Sequence, residues 1–325
     1  MAIQPEIPLS ALDSVGEDLK RPECVLCNAD GDVYVSDWDG GVCHIGANGT
    51  QRRILARNAS PALLPNGIAL RRDGTFLLAN LGDAGGVWSL AANGDHWPFL
   101  TAVDNETLPP TNFVLVDNQE RVWITVSTRI EPRARAYRPD ACDGFIVLVD
   151  HRGARIVADG LGYTNEVQIH PSGDWLYVNE TFARRTSRMR VGGDGSLGSR
   201  ETVTEYGRGT YPDGLYFDEN GGFWVVSLVS NRVLRIGRDG EKTLMIEDQD
   251  TNHVDWVENA FQNGQMGREH LDRIGSEKLR NTSSIAFGGP DRRLSYLGCL
   301  LGNRIVQFES PFKGVKPAHW HWRMA

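Results

Sequence analysis

The sequence predicts an all-β protein that folds as a six-bladed β-propeller. Two observations carry this prediction. A short apolar run, a turn rich in Gly, Asn and Asp, and a second apolar run recur six times in 325 residues. An oxygen-bearing residue opens each repeat, and successive openings are 43, 46, 53, 48 and 71 residues apart. Repeats of this length with about four short strands each are typical of propeller blades. The opening residues are Glu23, Asn66, Asn112, Asn165, Asp213 and Ser284.

The repeats account for most of the chain. Val, Ile, Tyr and Leu fill the predicted strands, and Gly, Asn and Asp supply the tight turns between them. In the fifth repeat we expect the Asp213 carboxylate at the tip of a turn. The sixth repeat is one strand short, and we expect the segment near residues 11–19 to supply that strand and close the ring. The predicted units are residues 21–56, 64–100, 110–157, 163–206, 211–247 and 282–309.

Two insertions interrupt the repeats of an otherwise single domain, residues 1–325. Residues 248–281 alone show helical spacing, and residues 128–143 are rich in arginine. We expect both to lie as loop or helical excursions over one face, as a lid or as surface loops. The arginines would steer a carboxylate-bearing substrate or product, or form a solvated loop. They are Arg129, Arg133, Arg135 and Arg138.

Composition limits the class of partner. The chain carries 34 basic and 42 acidic residues, a net charge of −8, which argues against nucleic acid. No apolar run reaches the roughly 18 residues of a membrane span, and the N-terminus lacks the pattern of a signal peptide. We therefore expect a cytoplasmic protein that meets no membrane. The oligomeric state is not predicted.

The cysteines and histidines suggest packing rather than chemistry. Cys24-x-x-Cys27 lies in a strand-like run, where residues three apart point to opposite faces. The odd count of five cysteines argues against a disulfide framework. His253 and His270 would reach the channel mouth or pack. The HWHW segment near the C-terminus is expected to pack.

The six opening residues form the candidate site. Innermost strands line the channel of a propeller, so a residue at the same end of each strand faces the axis. Two carboxylates with amide and hydroxyl oxygens fit one hard divalent cation, which would relieve the repulsion between the carboxylates. The other interpretation is that each residue forms a turn or caps a backbone group.

Six segments in order resemble the senescence marker protein-30/gluconolactonase/luciferin-regenerating-enzyme-like family over residues 20–310. They are RPECVLCNADGDVYVSDWDGG, LPNGIALRRDG, TNFVLVDNQERVWITVST, TNEVQIHPSGDWLYVNET, YPDGLYFDENGGFWVV and TSSIAFGGPDRRLSYLG. The resemblance implies a propeller with one catalytic divalent metal in its central channel, held by Glu23, Asn165 and Asp213. Calcium is the first choice, with zinc, manganese and magnesium as alternatives. Asp213 is also the implied general base, and Asn112 the implied contact to substrate or a metal-bound water.

The remaining column residues, Asn66 and Ser284, are expected to contact substrate. Three positions depart from the family pattern. Pro110 stands where sugar-lactone members carry an Arg, Phe113 where they carry an acidic residue, and Glu166 where many members carry Gly. These departures argue against a sugar lactone as the substrate.

The predicted reaction is hydrolysis of a small lactone or ester, with a cation polarising the carbonyl and Asp213 activating water. No Gly-x-Ser-x-Gly nucleophile elbow is present. Glu166 is a second candidate base, although strict alternation along a strand would turn it away from Asn165 into its own blade. Two other readings stay open. One is other chemistry at the same metal, phosphotriester hydrolysis or a non-hydrolytic isomerisation or addition. The other is a binding propeller without catalysis.

Overall fold

The computed structural model describes residues 5–324. Six four-stranded antiparallel sheets form blades around an axis, and the first strand of each blade contacts the first strand of the next. The predicted six-bladed β-propeller is therefore confirmed. No helix within these residues is long and apolar enough to cross a membrane.

The strands follow the predicted repeats. Blade one contains β2 (Val25–Cys27), β3 (Val33–Asp37), β4 (Gly41–Ile45) and β5 (Gln51–Leu55). Blade two contains β6 (Pro65–Leu70), β7 (Phe76–Asn80), β8 (Val87–Leu90) and β9 (His96–Leu100). A small ribbon of β10 (Ala102–Val103) and β11 (Glu106–Thr107) follows. Blade three contains β12 (Phe113–Val116), β13 (Val122–Val126), β14 (Gly144–Asp150) and β15 (Gly153–Leu161).

Blade four contains β16 (Thr164–Ile169), β17 (Trp175–Glu180), β18 (Arg185–Arg190) and β19 (Glu201–Glu205). Blade five contains β20 (Thr210–Phe217), β21 (Phe223–Val229), β22 (Arg232–Ile236) and β23 (Lys242–Glu247). Blade six contains β24 (Thr282–Gly288), β25 (Leu294–Cys299), β26 (Ile305–Glu309) and, from the N-terminus, β1 (Asp13–Val15).

The N-terminal strand closes the ring, as the sequence predicts. β1 pairs antiparallel with β26, so that Ser14 lies opposite Val306. The side chains of Ile7, Leu12 and Leu19 around it are buried. Blade six is thus built from both ends of the described chain.

One polar side chain shapes the turn between the first two strands of several blades. Asn28, Asp117 and Asp218 each accept hydrogen bonds from N–H groups two and four residues later. The buried Trp123 and Trp224 donate their ring N–H groups to Asp117 and Asp218 at 2.9 and 3.1 Å. These contacts join the turn to the core of the blade and satisfy backbone donors that would otherwise lack partners.

The two insertions pack together at one end of the propeller. Residues 248–281 contain one α-helix, α1 (Thr251–Gln262), whose N-cap Asp250 accepts bonds from the N–H groups of Asn252 and His253 at 2.8 and 3.2 Å. Residues 128–143 contain a short 3-10 turn, Arg133–Ala136. Buried side chains of both segments share one apolar cluster, which includes Tyr137, Val257 and Phe261. We call these two segments the cover.

Candidate active site

Irregular pairing positions the candidate residues on the innermost strands. In blades two, four and five, two inner-strand residues lie opposite one residue of the second strand, which is the arrangement of a β-bulge. The pairs are Asn66–Gly67, Asn165–Glu166 and Asp213–Gly214. Asp213 therefore lies inside β20 and not at the tip of a turn, which corrects that expectation.

The bulge glycines permit close contact between blades. A Cβ on Gly67 would lie 2.7 Å from Cα of Phe113, and a Cβ on Gly214 would lie 2.6 Å from Cα of Ser284. Such distances are shorter than real Cβ atoms allow. These two glycines thus set how near the next innermost strand can lie.

Glu166 takes the corresponding place in blade four. Its carboxylate accepts a hydrogen bond from the N–H of Leu215, in the next blade, at 3.0 Å. The side chain also lines the central cavity. The expectation that Glu166 points into its own blade is wrong, because the bulge breaks the strict alternation on which it depended.

Hydrogen bonds connect the column residues from blade to blade. Asn66 Nδ2 donates to Glu23 Oε1 at 2.5 Å and to Asn112 Oδ1 at 3.2 Å. Asn112 Nδ2 donates to Asn165 Oδ1 at 2.5 Å. Ser284 donates its hydroxyl to the main-chain oxygen of Glu23. Five of the six predicted residues are therefore in direct contact.

Asp213 completes the column through its neighbours. The hydroxyl of Thr181 accepts a bond from Asn165 Nδ2 at 2.9 Å and donates to the carbonyl of Pro212 at 2.8 Å. Asn179 donates its amide to the carbonyl of Asp213 at 2.9 Å. Sequence reasoning did not identify Thr181 or Asn179, since both lie on or beyond a second strand rather than at a repeat opening.

The protein environment disfavours the charged forms of the Glu23 and Asp213 carboxylates. Burial raises the pKa of Asp213 well above its usual value, and repulsion from Glu23 and Glu166 raises it further. Burial also raises the pKa of Glu23, against the opposing influence of Arg21, Arg133 and Arg268. Glu23 and Asp213 are 7% and 2% exposed, so water screens this repulsion poorly.

The donor set fits a hard cation. Glu23 Oε2 and Asn66 Oδ1 are buried and have no hydrogen-bond partner within residues 5–324. Buried oxygens of this kind are normally satisfied. A divalent cation would satisfy Glu23 Oε2 and offset the carboxylate repulsion, while Asn66 Oδ1 would stay available to a further ligand. No group of three His, Cys, Asp or Glu side chains in the described part of the chain is arranged to hold a metal ion. A cation here would therefore use amide oxygens beside the two carboxylates.

Two arginines lie beside this column, Arg133 of the cover and Arg21 just before blade one. Arg133 Nη2 lies 3.4 Å from Asn112 Oδ1 and 3.2 Å from the hydroxyl of Ser127. Arg21 Nη2 lies 3.8 Å from Glu23 Oε2. Of the four arginines singled out in residues 128–143, only Arg133 makes such a contact. Arg129 pairs with Asp159, Arg138 pairs with Asp140, and Arg135 is exposed. Arg21 could have been identified from the sequence, because it stands two residues before Glu23.

Aromatic packing closes the end of the channel that carries the column. Tyr137 of the cover stacks on Phe182 with ring centroids 4.6 Å apart. Phe261 of α1 meets Tyr211, two residues before Asp213, edge to face at 5.4 Å. His253 and His270 both pack against Trp256, with ring centroids 5.7 and 4.2 Å away, so they pack within the cover.

A cavity of about 800 Å³ runs along the channel below the column. Its inner end is formed by Cys24, Glu166 and Ser284, and it extends to the turns at the opposite end of the blades. His319 lines this cavity, while Trp320 beside it is buried. Of the predicted site residues only Ser284 lines it; the others lie between this cavity and the cover.

All five cysteines are free, and Cys24 and Cys27 are buried.

Comparison with known proteins identifies the family. A family model described as the SMP-30/Gluconolactonase/LRE-like region matches residues 16–252. The chain belongs to this family. The matched residues include the column from Glu23 to Asp213 and end before blade six, so Ser284 lies outside the match.

Relatives of this SMP-30/gluconolactonase/LRE-like protein include named lactonases. A Pseudomonas putida protein named 6-deoxy-6-sulfogluconolactonase is 29% identical over 246 residues, which cover 73% of this chain and 69% of that protein.

Solved structures share the fold at lower identity. A gluconolactonase from Xanthomonas campestris superposes with a TM-score of 0.68 at 17% identity, covering 92% of this chain and 89% of that one. The calcium-binding protein regucalcin from Agrobacterium tumefaciens gives a TM-score of 0.70 at 16% identity, covering 99% and 100%.

Proposed function

We propose that the protein hydrolyses a lactone or ester of a small organic molecule at the axial column, with a divalent cation held by Glu23, Asn165 and Asp213. The observation that carries this proposal is the column of two buried carboxylates and the hydrogen-bonded asparagine amides beside them. Within residues 5–324, two oxygens of this column, Glu23 Oε2 and Asn66 Oδ1, have no hydrogen-bond partner. The name of the Pseudomonas putida relative and that of the Xanthomonas campestris structure support lactones as the substrate class. The regucalcin structure supports calcium as the first ion to test.

The cation and the protein have separate tasks in this proposal. When bound, the cation polarises the substrate carbonyl and stabilises negative charge on its oxygen. Asp213 takes a proton from the water that attacks the carbonyl carbon. Asp213 can serve as this base through a carboxylate oxygen that does not hold the cation. The ring C–O bond then breaks, and the leaving oxygen takes the proton that Asp213 accepted from water, which gives the hydroxy acid and restores the carboxylate.

The other column residues orient these groups. Asn112 contacts Asn66 and Asn165, so its amide can place a substrate oxygen between them. Ser284 holds the backbone beside Glu23 and also faces the cavity. We assign Asn66, Asn112 and Ser284 to substrate contact. Glu166, the second candidate base, is assigned here as a positioning residue, because one of its carboxylate oxygens accepts a hydrogen bond from the N–H of Leu215.

The test measures hydrolysis by metal-stripped protein. Aldonolactones, aliphatic lactones and aromatic lactones are supplied with calcium, magnesium, manganese or zinc added back one at a time. We expect one class of lactone to be opened only with metal present. Asp213→Asn should lower the rate by at least about a hundredfold, in the range of a lost general base. Asp83→Asn, which changes an exposed carboxylate, is the control and should match the wild type.

Other results would redirect the proposal. Full activity in Asp213→Asn would remove that residue from the chemistry. Metal binding without hydrolysis of any lactone would favour other chemistry at this metal or a binding propeller, and phosphotriesters are then tested in the same assay.

A further inference from the structure

We propose that Arg133, with Arg21 beside it, forms an anion-binding subsite at the axial column, and that the preferred lactone carries an anionic substituent. This inference rests on the proposed hydrolysis and narrows its substrate class. It draws on charge and contacts that lactone opening itself does not require.

Within residues 5–324 Arg133 forms no ion pair, and the Glu23 carboxylate attracts it only at longer range. Among the described residues its guanidinium donates to neutral groups, those of Asn112 and Ser127, and it lies over the Tyr163 ring at 5.6 Å from the centroid. Its Nε is buried and has no hydrogen-bond partner within residues 5–324. No carboxylate of the described chain lies within ion-pair distance of Arg133, whereas Arg129 and Arg138 of the same insertion each have one. A partly buried guanidinium with unused N–H donors favours the binding of an oxyanion.

Arg21 supplies a second positive group. Its side chain is 9% exposed and stacks on Trp38 at 4.2 Å from the ring centroid, and its buried Nε has no hydrogen-bond partner within residues 5–324. In the same residues its one ion pair is with Glu23, at 3.8 Å, and Asp213 attracts it at longer range. A cation held by Glu23 would offset that carboxylate, which leaves Arg21 free to attract an anion.

Arg268 contributes less to this subsite. It forms an ion pair with Asp272 at 2.7 Å, so its charge is already compensated. The local balance is therefore set by Arg21 and Arg133, both close to the column. A neutral hydroxyl cannot compensate these charges, but a carboxylate or sulfonate can.

The position of Arg133 also bears on Pro110, one of the three departures from the family pattern. Pro110, two residues before Asn112, cannot offer a cation. Arg133 reaches the same Asn112 from a different segment, the cover. Specificity is thus expected to follow residues 128–143 rather than the strand that carries Asn112.

The experiment compares two lactones that differ in one group. Glucono-1,4-lactone is neutral, and glucaro-1,4-lactone has the same ring with a carboxylate in place of the terminal alcohol. The wild type should favour the anionic lactone by about tenfold or more in kcat/KM, mainly through KM. Arg133→Gln should reduce this ratio about tenfold, and Arg133→Lys should restore part of it. Arg135→Gln, an exposed arginine of the same insertion, should keep the wild-type ratio.

Each outcome decides the proposal. If wild type and Arg133→Gln show the same ratio of kcat/KM for the anionic over the neutral lactone, the proposal is overturned. This holds even if Arg133→Gln changes product inhibition by gluconate, because Arg133 would then bind the product and not the substrate. If neither lactone is hydrolysed, the proposed function fails on these substrates and the same two compounds are titrated by calorimetry. The subsite is supported if the wild type binds the anionic lactone more tightly than the neutral one and Arg133→Gln does not. It is overturned if the wild type binds both lactones equally, or if Arg133→Gln binds them as the wild type does.

Discussion

At the scale of single residues, bulges on the inner strands explain how polar side chains reach the axis. A bulge places two residues opposite one, so Asn66, Asn165 and Asp213 depart from strict alternation. The following glycine in blades two and five lets the next strand approach. The geometry of the site and the spacing of the blades therefore depend on the same short segments.

Replacing Gly67 by Ala should destabilise the protein. Its Cβ would meet the backbone of Phe113 at 2.7 Å, and backbone yields less readily than a side chain. We expect a loss of about 1–3 kcal/mol in the free energy of unfolding, the usual cost of overpacking, measured by urea denaturation. Gly207→Ala is the control, since a Cβ there meets nothing within 4 Å. Equal stability of the two variants would show that the close approach is not limiting.

The sequence predicts part of this residue-scale detail. The column was recognisable because an oxygen-bearing residue recurs at each repeat opening. The bulges were not, since nothing in the letters around Glu166 reveals that alternation fails there. Arg133 was visible only as one of four arginines, and its contact with Asn112 depends on how the cover folds.

At the scale of elements, the cover depends on a buried anchor on α1. One Glu258 carboxylate oxygen accepts bonds from the N–H of Gly209 at 2.8 Å and the hydroxyl of Tyr211 at 3.0 Å, and it pairs with Arg184. Gly209 and Tyr211 lie at the entry to β20, which carries Asp213. The anchor thus links the helix to a strand that forms the column.

Glu258→Ala should loosen α1 without unfolding the blades. Buried donors of Gly209, Tyr211 and Arg184 would lose their acceptor, a substantial local cost. We expect amide hydrogen exchange across Thr251–Gln262 to rise by about tenfold or more. Asp255→Ala, an exposed residue of the same helix, should have little effect. Unchanged exchange in Glu258→Ala would contradict the anchoring role.

The spacing of apolar residues predicted helical structure within residues 248–281, and the helix occupies Thr251–Gln262. Its length and docking were not predictable, because they follow from contacts with Tyr211, Phe182 and the other insertion.

At the scale of the whole molecule, closure by β1 holds the ring together. The repeat pattern predicted six blades and a missing strand, because each blade must bury its faces against neighbours. The structure supplies that strand from residues 13–15. The number and order of the blades were therefore predictable. The two insertions were also predicted, but how they pack together as the cover was not, because they follow no repeat.

Removal of residues 1–19 should weaken the whole propeller. The deletion takes away β1 and the buried side chains of Ile7, Leu12 and Leu19 and exposes an edge of β26. Losing these side chains should cost about 5 kcal/mol or more and lower the melting temperature by at least about 5 °C. A synthetic peptide of residues 5–20 should restore part of the loss, and a scrambled peptide should not. Unchanged melting would show that the ring does not need this strand.

The proposed chemistry depends on one divalent cation at the axis, held by Glu23, Asn165 and Asp213 of blades one, four and five. Calorimetric titration of the chelator-treated protein with calcium, then manganese, measures whether that ion binds. We expect one ion per chain, with binding at least about tenfold weaker in Glu23→Gln and Asp213→Asn, and unchanged in Glu106→Gln, an exposed control. Absence of binding by the wild type, or equal affinity in all four proteins, would contradict it.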